Sequence, residues 1–369
     1  MNWRIPLVSM DAEYAEVGLA VEDAVQEVLR SGAYVLGPAT RDFEQALARL
    51  VGVFDAVGVG SGTDALVLSL RALGVGDGDE VIVPAFTFFA TIEAVLAVGA
   101  RPVFVDVEAG GFHIDPQHVA DALTPKTRAV VPVHLFGRCA DMPRLVEVCE
   151  PRGVALIEDA AQAIGAARGN RSAGAWGRTG CFSFYPSKNL GAAGDGGGVV
   201  AQDADLLERI RLLRSHGNVG DTHIAAGTTS RLDELQAAIL RVKLPYLKAW
   251  NEARTRNARI YAEELAGCPG VALPEAPAGE TVVWSQYTLR CRDRERVRLA
   301  LEGAGIETRH YYVRPVCAEP ALGELRRPGD AFPQAARACR ESISLPVRPS
   351  CAPSEIQEIA GCVRAALEA

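Results

Sequence analysis

Lys188 stands in the run Cys181-Phe-Ser-Phe-Tyr-Pro-Ser-Lys-Asn-Leu-Gly-Ala-Ala-Gly-Asp-Gly-Gly-Gly198 and is one of only four lysines, against thirty-four arginines. A composition so weighted to arginine supplies Arg wherever positive charge alone is needed. A lysine kept inside a glycine-rich loop therefore points to chemistry that a guanidinium lacks. An amine can lose its proton and condense with a carbonyl as a Schiff base, whereas Arg stays protonated. The plainer readings of Lys188 are a point charge for a phosphate or a surface lysine.

Three further features carry chemical types at suggestive places. In Val57-Gly-Val-Gly-Ser-Gly-Thr-Asp-Ala-Leu66 a strand runs through a glycine turn into a helix start, with Gly62, Thr63 and Asp64 at the turn. Unpaired amides and the positive end of the helix dipole make such a turn an anion cradle. The same run satisfies Gly-x-Gly-x-x-Ala from Gly60 to Ala65, so dinucleotide binding must be weighed. That reading wants an acidic residue at the carboxyl end of the next strand, which instead ends in Pro84-Ala-Phe-Thr-Phe88. In Ala155-Leu-Ile-Glu-Asp-Ala-Ala-Gln162, Asp159 closes an apolar strand and Gln162 follows one helical turn later. The carboxylate is either a helix N-cap or a counter-ion for a cationic group. The cluster Phe86-Thr-Phe-Phe89 lies just past a strand end, where core packing is the ordinary explanation for any one ring.

These groups need a frame, and residues 50–203 supply one by alternating short apolar runs with helical stretches. Strands are expected at 56–60, 80–84, 102–106, 129–133, 154–158, 180–184 and 197–201, with helices at 63–73, 87–98 and 142–150. Such alternation gives a largely parallel sheet covered on both faces, with ligands at the carboxyl ends of its strands. From about Arg231 the pattern becomes one long helix broken near Pro245, followed by a Pro/Gly-rich stretch and short elements. The expected division is a large cofactor-binding domain at 1–247, holding a seven-stranded mostly parallel sheet, and a smaller C-terminal α+β domain at 248–369.

Bulk properties narrow the class. A chain of 369 residues, 49% hydrophobic and 23% charged, buries a sizeable core. Net charge of −8 disfavours nucleic acid or an anionic membrane as the main partner. No apolar stretch approaches a spanning helix and the N-terminus lacks a signal-peptide core, so a cytoplasmic location is expected. Nine scattered cysteines without a Cys-x-x-Cys pair read as small core residues in a reducing compartment, and no histidine spacing suggests a metal.

Together the four features suit pyridoxal 5'-phosphate, which needs a Schiff-base lysine, a carboxylate at its pyridine nitrogen, an anion cradle and a flat partner for its ring. Lys188, Asp159, the Gly62-Thr63-Asp64 turn with Ser183, and Phe88 supply these. An ionised Asp159 would keep the ring nitrogen protonated, which lets the ring absorb electrons from a substrate carbanion.

Gly-Thr-Asp-Ala-Leu, Asp-Glu-Val-Ile-Val-Pro-Ala-Phe-Thr-Phe, Pro-Val-His-Leu-Phe-Gly, Ile-Glu-Asp-Ala-Ala-Gln-Ala, Phe-Ser-Phe-Tyr-Pro-Ser-Lys-Asn-Leu-Gly and Ser-Arg-Leu-Asp-Glu-Leu-Gln-Ala-Ala make nearly the whole chain resemble the sugar aminotransferases of the DegT/StrS family. The resemblance implies the aspartate-aminotransferase-like (fold type I) architecture and a homodimer with active sites at the subunit interface. It implies Lys188 as the tethering lysine, Asp159 at the pyridine nitrogen, Gln162 near the ring hydroxyl and Phe88 stacked on the ring. Thr63, Asp64 and Ser183 fall at the phosphate. Arg231, His310 and Tyr311 are the implied substrate-binding positions. Thr229 occupies the place of an Asn that reaches the neighbouring subunit's phosphate; its hydroxyl can still donate but has shorter reach, so that contact is lost or water-mediated. The family's His-Tyr-Pro motif appears as His310-Tyr-Tyr-Val-Arg-Pro315, with Cys317 replacing a histidine and Arg314 added.

The resemblance implies an aminotransferase that moves nitrogen from an amino acid, by family habit L-glutamate, to a keto-sugar nucleotide with the ketone at position 3 or 4. Gly227-Thr228 before the Ser-Arg run leans toward position 3. The dehydratase branch carries His at the tethering position, so Lys188 argues against it. A dinucleotide-dependent oxidoreductase and a noncatalytic cofactor-binding regulator are the remaining alternatives.

Overall fold

The computed structural model describes residues 3–323, 325 and 331–368. Its central feature is a seven-stranded sheet built from β1 (Asp55–Val59), β2 (Glu80–Pro84), β3 (Arg101–Val105), β4 (Thr127–Val130), β5 (Ala155–Asp159), β6 (Thr179–Ser183) and β7 (Gly197–Ala201). All seven expected strands are present, with ends displaced by three residues at most. The spatial order is β1-β7-β6-β5-β4-β2-β3. The pairs among β2 to β6 are parallel, and β7 runs antiparallel to both its neighbours. These strands read as continuous Val/Ile/Ala runs because helices cover both faces, leaving no solvent side to favour polar alternation.

Twelve α-helices are described: α1 (Met10–Ser31), α2 (Pro38–Val51), α3 (Gly62–Ala72), α4 (Ala90–Ala97), α5 (Pro116–Ala122), α6 (Met142–Cys149), α7 (Ala204–Leu213), α8 (Glu234–Lys243), α9 (Leu247–Glu264), α10 (Arg294–Gly303), α11 (Pro333–Glu341) and α12 (Pro353–Glu368). The long helix expected beyond Arg231 starts at Glu234 and is interrupted by a 3-10 turn at Leu244–Tyr246, as Pro245 requires. The helix expected over 87–98 begins only at Ala90, and the turn before it frees Phe88. A second core joins Ile5, α9, α10, α12 and the strands β8 (Val271–Ala272), β9 (Tyr287–Cys291) and β10 (Ser342–Leu345). Val316, Cys317 and Ala335 pack instead on the core of the large sheet.

Among the described residues no helix is long and apolar enough to cross a membrane. Seven cysteines are buried, as expected of small core residues.

Candidate active site

The carboxyl ends of β1, β2, β5 and β6 converge on the groups that the sequence singles out. At the end of β1 the chain enters α3 through Ser61, whose Oγ accepts the Asp64 amide at 3.0 Å. This cap satisfies one amide of the first turn. Gly62 lies against Ser183: a Cβ at position 62 would sit 2.7 Å from the Ser183 Cβ and 3.3 Å from its Cα. The cradle thus brings the α3 amino end and the end of β6 together, and any side chain at 62 would close it. Gly62→Ala is expected to lower stability by about 1–3 kcal/mol and to weaken anion binding. Thermal unfolding with and without inorganic phosphate checks both.

At the end of β5, Asp159 is buried, and each of its carboxylate oxygens has one neutral partner. Thr91 donates to Oδ2 at 2.8 Å and the Ala161 amide to Oδ1 at 3.2 Å. Burial raises the Asp159 pKa, opposed by those two hydrogen bonds and by the nearby Lys188 and His134. Among the described residues no arginine or lysine forms an ion pair with it. Asp159 is therefore a buried carboxylate whose charge is under-compensated, which is the condition of a counter-ion lacking its cation. The N-cap alternative is not what its side chain does, since no helix follows directly on β5.

The preceding Glu158 points to the other face and is a structural pin. It accepts the amides of Gly174, Trp176 and Gly177 together with His134 Nε2 at 2.8 Å. The Ala140 amide donates to His134 Nδ1 at 3.1 Å, so the proton directed at Glu158 belongs to Nε2.

Lys188 lies in the loop that links β6 to β7, and this loop is tightly tied. Asn189 donates to Asn251 Oδ1 and to the Val283 carbonyl, both at 2.8 Å, and the Ala193 amide donates to Gln236 at 2.8 Å. Gly191 is required there because a Cβ would meet the Pro186 carbonyl oxygen at 2.3 Å. Burial lowers the Lys188 pKa, and the Asp159 carboxylate partly restores it. The pair thus brings an amine disposed to be neutral within the field of a buried acid.

Aromatic and amide groups complete the cleft. Phe86 is 1% exposed and belongs to the core, whereas Phe88 is 59% exposed and leaves a ring face open. Gln162 Oε1 accepts the Phe136 amide at 2.8 Å, and its side chain also hydrogen-bonds Tyr312. The Tyr312 ring lies 5.4 Å from that of Phe86 and 6.3 Å from that of Phe88. Tyr312 and Thr91 are site residues that sequence reasoning did not assign. Tyr311 stacks obliquely 6.3 Å from Phe136. His310 is not gathered with them by any hydrogen bond or ring contact. Its charged neighbours are Arg294, Glu295 and Arg298 of α10, and its Nε2 is buried without a partner.

Thr229 is on an exposed loop with its hydroxyl 2.6 Å from His216 Nε2. Next to it, Ser230 reaches the cradle of its own chain, accepting the Gly60 amide at 3.1 Å, and Arg231 is half-buried beside that contact.

Residues 18–364 match the model of the DegT/DnrJ/EryC1/StrS aminotransferase family. The chain is 46% identical to the Erythromycin biosynthesis sensory transduction protein EryC1 of Saccharopolyspora erythraea, with 94% of each covered. It is 44% identical to the UDP-N-acetyl-3-dehydro-alpha-D-glucosamine 3-aminotransferase of Acidithiobacillus ferrooxidans, with 99% of each covered. The crystal structure of S. venezuelae DesV in complex with a ketimine intermediate superposes with a TM-score of 0.97 at 42% identity, covering 99% of both chains.

Proposed function

This chain belongs to the DegT/DnrJ/EryC1/StrS aminotransferase family, and on that premise we propose that it transfers an amino group from L-glutamate to a 3-keto-sugar nucleotide, using pyridoxal 5'-phosphate held at Lys188 and Asp159. The observation that carries the reading is the Lys188–Asp159 pair: an amine whose pKa burial lowers, near a buried carboxylate that forms no ion pair among the described residues, at the carboxyl ends of neighbouring strands.

The residues present fit this cofactor. Gly62, Thr63 and Asp64 with Ser183 form a cradle that any side chain at 62 would fill. Phe88 offers an open ring face, and Asp159 forms no ion pair among the described residues. When bound, pyridoxal phosphate supplies an electrophilic carbonyl and an electron-accepting ring. Lys188 supplies the tether and, once displaced, the base that takes the proton from the substrate carbon and returns it elsewhere. Asp159 would hold a proton on the ring nitrogen, and Thr91 fixes its carboxylate by donating to Oδ2. Gln162, pinned by the Phe136 amide, presents its remaining amide capacity to the ring hydroxyl. Phe88, with its exposed ring, would stack on the cofactor ring and exclude water from one face.

Arg231 and Thr229 contribute to substrate and phosphate contacts across a homodimer interface, and Tyr311 and His310 lie on the acceptor side. The position-3 preference rests on Gly227-Thr228 and on the activity named for the A. ferrooxidans relative. The test is to incubate the enzyme with glutamate and matched 3-keto and 4-keto nucleotide sugars and identify products by mass. A 3-amino product is expected. Amination of the 4-keto sugar alone would overturn the position, and a coloured protein that aminates neither would return the regulator reading.

A further inference from the structure

Beside Lys188 the structure contains a cavity of about 280 Å³, near the lower end of the roughly 300–1,000 Å³ typical of small-molecule sites. Its walls come from the start of α1, the loop around Lys188, α9, and the segments at 285–286 and 347–350. The two carboxylates on its wall are already engaged. Glu13 pairs with Lys243, and Glu16 accepts the Trp250 indole N–H at 3.0 Å.

On the cationic side Arg348 pairs with Glu355, but Arg254 is not balanced in this way. Arg254 has one hydrogen bond, from Nη1 to the Trp284 carbonyl at 3.3 Å, and its Nε is buried without a partner. Among the described residues no carboxylate lies within ion-pair distance of it. Burial pushes its pKa down to about 10, opposed by Cys351 and Glu13. Ser285, on the same wall, is 8% exposed and its hydroxyl also lacks a partner. Leaving a guanidinium without a counter-charge, its Nε unsatisfied, beside an unsatisfied hydroxyl is costly unless a ligand completes the site. The fork of N–H donors on a guanidinium matches the two oxygens of a carboxylate.

We propose that Arg254 and Ser285 form the subsite for a carboxylate of the amino-acid donor, placing its amino group toward Lys188. This rests on the transaminase reading above. That reading assigns the donor but no residue to hold it, and Arg231 belongs to a different part of the cleft. A donor bound here has its carboxylate anchored on α9 while its amine meets the tethering lysine, so affinity and orientation come from one contact.

The test uses the holoenzyme as wild type, Arg254→Gln, Arg254→Lys and Ser285→Ala. Glutarate, which has the carboxylates of glutamate without the amine, is titrated calorimetrically. In parallel, bleaching of the bound cofactor's yellow colour is followed against concentrations of L-glutamate and L-alanine. Arg254→Gln is expected to weaken glutamate saturation about a hundredfold, with the initial colour unchanged and the rate at saturation within a few-fold. Arg254→Lys should recover part of the loss, and Ser285→Ala should cost several-fold. Equal loss for glutamate and alanine assigns the contact to the α-carboxylate, and loss for glutamate alone, together with glutarate, to the side-chain carboxylate. Unchanged saturation by both amino acids in a yellow Arg254→Gln protein overturns the subsite. Should that variant fail to fold, unchanged saturation in both Arg254→Lys and Ser285→Ala does the same. A wild type that amino acids do not bleach contradicts the transaminase reading instead. Arg254-dependent binding of glutarate would even then keep the carboxylate site, and its absence would remove both.

Discussion

Lys188→Ala is expected to abolish turnover, by on the order of 10⁴-fold or more, because it removes the tether and the acid–base group together. The yellow colour of the lysine-bound cofactor should vanish with it. Cofactor should still bind, since the cradle of Gly62, Thr63 and Ser183 and the carboxylate of Asp159 are untouched. Folding should survive as well, because Asn189, Ala193 and Gly191 anchor the loop without using the lysine side chain. Lys188→Arg separates charge from chemistry: it keeps the positive charge near Asp159 and should be as inactive as the alanine variant. Activity in Lys188→Arg would assign the residue to electrostatics alone.

Asp159→Asn should reduce the rate about a thousandfold, or roughly 4 kcal/mol of transition-state stabilisation, because the shape remains while the charge opposite the ring nitrogen is lost. Its effect on the cofactor-free fold should have the opposite sign. Burial raises the Asp159 pKa above the ordinary carboxylate value of 3.8. The folded state therefore binds more protons than the unfolded state between those two values, and stability falls as pH rises through that window. The asparagine variant escapes this loss, so its melting temperature without cofactor should exceed that of the wild type at neutral pH. The gap should close as the pH approaches 4. A cofactor-free variant no more stable than wild type at neutral pH would mean that the carboxylate is well compensated within the fold, and near-normal turnover would return it to a structural role.

The parts of the site legible in the sequence are those that chain geometry places locally. Asp159 ends an apolar strand, Gly62 sits at a strand-to-helix turn, and Ser183 and Lys188 flank one loop, so period and punctuation suffice to locate them. Thr91, Tyr312 and Arg254 reach the site by tertiary proximity, and no local pattern marks them. Thr91 meets Asp159 across 68 residues of chain. Arg254 lies in an arginine-rich helix whose Arg256 and Arg259 are exposed, and what sets it apart is burial without a counter-charge.

The scarcity of lysine does not by itself single out Lys188. Lys243 is equally rare and is buried, yet it is structural: it donates to the Gly191 carbonyl at 2.8 Å and pairs with Glu13. What separates the two lysines is the acid each has nearby: Lys188 has the buried Asp159, which forms no ion pair among the described residues, whereas Lys243 is ion-paired to the partly exposed Glu13. No sequence pattern marks the N-terminal helices α1 and α2, because the face each buries, both against α8 and α2 also against β1, is set by tertiary packing, and α1 leaves Leu19 80% exposed.

The most direct measurement is the visible absorbance of the wild-type protein after incubation with pyridoxal phosphate, before and after L-glutamate is added. A yellow band that glutamate bleaches, and that an amino acceptor such as 2-oxoglutarate restores, is the expected result. A colourless protein, or a band indifferent to amino acids, would contradict a tethering role for Lys188 opposite Asp159.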